Sequence, residues 1–80
     1  MEDRAIFHQI NQLANEEHEI WGKESRKEAT DADRERLQRI EVTLDQCWDL
    51  LHQRQARRAA GLNPNDATVR DEKTVKGYTG

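Results

Sequence analysis

Between Leu37 and Gln55 the apolar residues Leu37, Ile40, Leu44, Cys47, Trp48 and Leu51 recur at steps of three and four. That spacing lines one face of an α-helix. A second stripe of the same period runs earlier through Ile6, Phe7, Ile10, Leu13, Ala14, Ile20 and Trp21, interrupted by Glu17. Two helices are therefore predicted. The first begins with Asp3 as its N-cap and runs past Gly22 to about Lys27, with Lys23, Arg26 and Lys27 at the end where cations suit the helix dipole. The second spans about Asp31 to Ala60. Thr30 and Asp33 form a capping-box-like start, Gly61 fits the left-handed position beyond the end, and Pro64 follows where a helix cannot continue.

A turn of about two or three residues between long helices forces them antiparallel. Centred between Glu28 and Ala29, it brings Ile20 opposite Leu37, Leu13 opposite Leu44, Ile10 opposite Cys47 and Ile6 opposite Leu51. Glu17 opposite Ile40 is the misfit, and Arg36 or Arg39 is the expected partner for its charge. The fold class is thus all-α: an antiparallel two-helix hairpin over residues 1–61. Residues 62–80 form a C-terminal tail, extended or partly docked on the helices through Val69, Val75 and Tyr78, with a disordered terminus as the alternative.

Phe7, Ala14 and Trp21 lie one residue beyond the seam at heptad spacing, and Trp48 flanks it on the second helix. This apolar face is wider than one partner helix covers. Dimerisation of two hairpins into a four-helix bundle is the expected closure. Composition adds to that expectation: charged residues make up 36% of the 80-residue chain and apolar ones 34%, eight of them alanine, so large core side chains are few and an enclosed catalytic pocket is not expected.

The net charge of −3 gathers in residues 1–30, which hold seven acidic and four basic side chains, while 31–60 hold six of each. Such a balance gives no general drive toward nucleic acid or an anionic membrane. No run of eighteen apolar residues and no basic-then-apolar leader occurs, and the lone cysteine has no internal disulfide partner, so a reduced, cytoplasmic setting is the expectation.

Four features are candidates for chemistry. Asp49 and His52 stand three apart, as carboxylate–histidine pairs do in di-iron bundles, but one such motif per chain is too few and both project from the seam, which reads as a solvated pair. Cys47 faces Ile10 and has no neighbouring base, so it reads as a buried, inert thiol. Glu17 reads as a paired charge at the edge of the seam. Arg54, Arg57 and Arg58 form a basic cluster that solvates a helix end, or, in the alternative reading, contacts phosphate or an acidic partner. No metal, cofactor or catalytic residue is expected, and the chain is read as non-enzymatic.

The run Leu44-Asp45-Gln46-Cys47-Trp48-Asp49-Leu50-Leu51 resembles a family of short bacterial proteins known as domain of unknown function 2630. Glu16-Glu17-His18-Glu19 before Trp21, Glu28-Ala29-Thr30 at the turn, and the tail from Val69-Arg70 to Tyr78 are also similar. The resemblance implies a short, stand-alone helical protein, mostly actinobacterial, with no assigned activity, cofactor or functional residue. The match in the tail implies more than a frayed end at Val75 and Tyr78. The reading that results is an interaction module acting as a homodimer, presenting Phe7, Trp21, Trp48, Arg54, Arg57, Arg58 and Tyr78 to itself and to an unidentified protein partner. A nucleic-acid-associated regulator using the three arginines, or a metal- or ligand-binding bundle, is the alternative.

Overall fold

The computed structural model describes residues 2–72. Helix α1 spans Asp3–Ser25, helix α2 spans Asp31–Ala59, and a 3₁₀ turn follows at Pro64–Asp66. The two long helices pack against each other as a hairpin.

Local chemistry sets the ends. Thr30 Oγ1 accepts from the Asp33 amide at 3.1 Å while the Asp33 carboxylate accepts from the Thr30 amide at 3.0 Å, a complete capping box that starts α2. At its other end Gly61 takes φ 75°, and the amides of Gly61 and Leu62 donate to the carbonyls of Arg58 and Arg57. This is a Schellman motif, and glycine is suited to its left-handed residue.

Helix α1 ends in the same motif two residues earlier than the charge pattern predicts. Lys27 adopts φ 59°, the amide of Lys27 donates to the Glu24 carbonyl, and that of Glu28 donates to the Lys23 carbonyl at 2.8 Å. A lysine occupies the position where glycine would carry no Cβ penalty, which is why the sequence gives no stop signal there. The connection is consequently residues 26–30, longer than the predicted two or three. Asp3 is likewise not the N-cap but the first helical residue; Glu2 precedes it without a side-chain cap.

The core draws on both predicted stripes. Ile6, Ile10, Cys47, Leu50 and Leu51 form one buried cluster against which Leu44 packs, and Ile20 and Ile40 are buried nearer the turn. Leu13 and Leu37 are only half-buried. Two departures matter. Trp48, which shares the stripe's period and is expected to flank the seam, is 45% exposed and lies on its rim rather than in the core. Leu50, which lies off that stripe, is 4% exposed and belongs to the cluster, against which Ala67 packs where the chain beyond Pro64 turns back over α2. Val69 is not an anchor of that segment: it is 61% exposed, and Ala67 and Arg70 make the contacts instead. Val75 and Tyr78 lie outside the described residues.

Candidate functional site

Two separate surfaces of α2 hold the features that exceed what a bare hairpin needs. On one flank of the seam, Trp48 stands edge-to-face with Phe7 of α1, their ring centroids 6.3 Å apart and the planes at 79°. Phe7 and Trp21 are fourteen residues apart, so four turns of α1 bring them back to one stripe. The three rings are 45–50% exposed, large apolar surfaces left half in water on a small fold.

The second surface lies about 100° round α2 from Trp48, beginning at its neighbour Asp49. Asp49 is buried, in contrast to the solvated residue the sequence suggests. Its carboxylate accepts from Nε and Nη2 of Arg70, and Gln53 Nε2 donates to its Oδ2 at 2.9 Å. The Arg70 guanidinium, and after it Gln53, hold the Asp49 carboxyl below its ordinary range against the opposing effect of burial. Gln53 Nε2 also donates to the Thr68 carbonyl at 2.8 Å, and Gln46 Nε2 to the Arg70 carbonyl at 3.1 Å. His52, the predicted companion of Asp49, is exposed and adds only a smaller electrostatic contribution to lowering the Asp49 carboxyl.

The arginine cluster divides. Arg54 is 5% exposed, its Nε donating to Asp3 and its Nη1 to the Pro64 carbonyl and Asn65 Oδ1, both at 3.1 Å. Arg58 Nη2 donates to the other oxygen of Asp3 at 2.6 Å. The hydrogen bonds from Arg58 and Arg54 bring the Asp3 carboxyl down to about 2. So two of the three arginines expected on an interaction surface hold the open end of the hairpin together. Arg57 is half-buried, and Arg58 stays exposed beside its ion pair.

The remaining candidates resolve simply. Arg36 binds Glu16 at 2.6 Å rather than Glu17, which has no ion pair among the described residues although it is half-buried. Cys47 is buried in the core cluster, and burial pushes its thiol up. Among the described residues no three histidine, cysteine or acidic side chains come together as a metal site requires, and no helix is long and apolar enough to cross a membrane.

Sequence reasoning missed Arg70, Gln46 and Gln53. The available signal was Leu50: an apolar residue beside the stripe, adjacent to Leu51, needs cover that the first helix does not provide.

Comparison with known proteins gives a family without an activity. The family described as "Protein of unknown function (DUF2630)" matches residues 2–80. The chain is 54% identical over 48 residues to Uncharacterized protein Mb0922c of Mycobacterium bovis and, over the same length, to Uncharacterized protein Rv0898c of Mycobacterium tuberculosis. Each match covers 60% of this chain and 55% of the relative, so the similarity spans about half of those proteins. No solved structure matches the chain.

Proposed function

This chain belongs to the DUF2630 family, and from a membership that brings no activity with it we propose a non-enzymatic protein interaction module that pairs with a second copy of itself. Phe7, Trp21 and Trp48 form the contact, and two hairpins joined there make a four-helix bundle about a two-fold axis. The observation that supports this is the half-exposed Phe7–Trp48 pair with Trp21 on the same stripe of α1. Aromatic side chains bury large areas and supply much of the binding energy at protein interfaces. A hairpin with so few fully buried side chains also gains much from closing that face.

The burial of Arg54 and the pairing of Arg58 with Asp3 weigh against the arginine-based nucleic-acid reading. The test is the thermal midpoint as a function of protein concentration. Linkage of folding to dimerisation makes the midpoint rise with concentration. Trp21→Glu, which removes no buried core residue, should abolish that rise while keeping helical circular dichroism. A concentration-independent midpoint in the wild-type chain would refute self-association.

A further inference from the structure

The segment that returns over α2 is held in an unusual way for a terminal strap. Among the described residues, the one hydrophobic side chain it packs on the core cluster is that of Ala67. Polar contacts join it to α2: Gln53 donates to the Thr68 carbonyl, Gln46 donates to the Arg70 carbonyl, and the Asp49 carboxylate accepts from two N–H groups of the Arg70 guanidinium. Carbonyls two residues apart turn to the same helix, as alternate groups of an extended chain do. The segment runs antiparallel to α2, since the earlier carbonyl meets the later glutamine.

Gln53 makes a second bond to Asp49, so the carboxylate is oriented by its own helix for a planar, two-pronged donor. Val69, lying between the two bonded residues, is 61% exposed and is not read at all. This arrangement recognises main-chain carbonyls, one arginine, and a small residue three positions before it. It makes little use of the identity of the rest.

We infer that Gln46, Asp49 and Gln53 form a binding site for an extended peptide segment that carries an arginine, occupied in cis by the chain's own residues 67–72 as a built-in competitor. The cis occupant is suited to exchange, because Ala67 is its one apolar contact with the core cluster among the described residues and the bond from Gln53 to the Thr68 carbonyl lies at the surface. A protein partner presenting a small residue, two freely chosen residues and an arginine in extended form satisfies the same three side chains. The site lies on a different face of α2 from Trp48, so it does not depend on the dimer described above.

The experiment uses the full chain and a labelled synthetic peptide of residues 65–72, Asn-Asp-Ala-Thr-Val-Arg-Asp-Glu. Binding is followed by fluorescence anisotropy and by the side-chain amide signals of Gln46 and Gln53 in NMR. Cis occupancy lowers apparent affinity by the fraction of chains whose site is open, so Arg70→Ala should bind the peptide at least about tenfold more tightly than wild type. The two glutamine amides should shift on binding. Asp49→Asn added to Arg70→Ala should abolish the gain, as should a peptide with alanine in place of its arginine. Trp21→Glu should leave peptide binding unchanged, which separates this site from the dimer face. Equal affinity of wild type and Arg70→Ala, binding that ignores the peptide's arginine, or no binding by Arg70→Ala at millimolar peptide would overturn the inference.

Discussion

Arg54 reaches Asp3 across 51 residues of sequence, and with Arg58 on the second carboxylate oxygen it ties the beginning of the first helix to the end of the second. The same guanidinium holds Pro64 and Asn65, so one buried side chain fixes three segments at the open end of the hairpin. Each helix also has its dipole complemented there, an acid at the start of α1 and cations at the end of α2.

Acid should loosen that end first. A carboxyl held low when folded takes up protons more readily once unfolded, so its contribution is fully present above the ordinary carboxylate value and is lost as pH falls through the folded one. For Asp3 the window runs from 3.8 down to about 2. Asp49 and Asp33 are shifted in the same direction and steepen the same limb. Asp3→Asn should therefore show a shallower loss of stability between pH 4 and 2 than wild type. Identical acid limbs would mean that the pair with Arg54 and Arg58 does not form in solution.

Truncating Arg54 should cost more than removing an ordinary surface arginine. Arg54→Ala leaves the Pro64 carbonyl and Asn65 without their donor and deletes a buried stem, an expected loss of about 2 kcal/mol. Arg57→Ala, with no such partners among the described residues, should change stability by less than about 0.5 kcal/mol. Urea denaturation of both variants distinguishes them.

Core substitutions should rank by burial rather than by size. Leu51 is 1% exposed and Trp48 is 45% exposed. Leu51→Ala should cost about 2–5 kcal/mol, whereas Trp48→Ala should cost less when measured at low protein concentration. The reverse order would return Trp48 to the seam.

Lys27 offers a gain. Its left-handed backbone suits glycine, so Lys27→Gly should raise the denaturation midpoint, by an amount corresponding to about 0.5–1 kcal/mol. Loss of stability on this change would show that α1 does not end in a Schellman motif.

Cys47 should be nearly silent toward thiol reagents. It is buried and its thiol is pushed up by that burial, so labelling at neutral pH should follow opening of the hairpin and accelerate sharply in urea. Rapid labelling of the native chain would place Cys47 outside the core.

Much of the hairpin was legible because local rules determine it. Thr30 with Asp33, Gly61 before Pro64, and the spacing of Ile6, Ile10, Cys47 and Leu51 each carry their meaning within a few residues. Lys27 was not legible, since lysine rarely takes a positive φ and nothing nearby announces it. The contacts of Asp49 with Arg70 and of Arg54 with Asp3 were hidden for another reason. In a chain with sixteen acidic and thirteen basic side chains, a charge has many possible partners, and sequence does not single out one. Asp49 consequently read as solvated and Arg54 as displayed, whereas the structure buries both.

The proposal that the aromatic face self-associates is most directly tested by sedimentation equilibrium of the wild-type chain over a wide concentration range, beside Trp21→Glu. The expected result is a mass approaching twice that of one chain as concentration rises, with the variant remaining at the single-chain mass. A wild-type chain that stays at the single-chain mass at every concentration would contradict it.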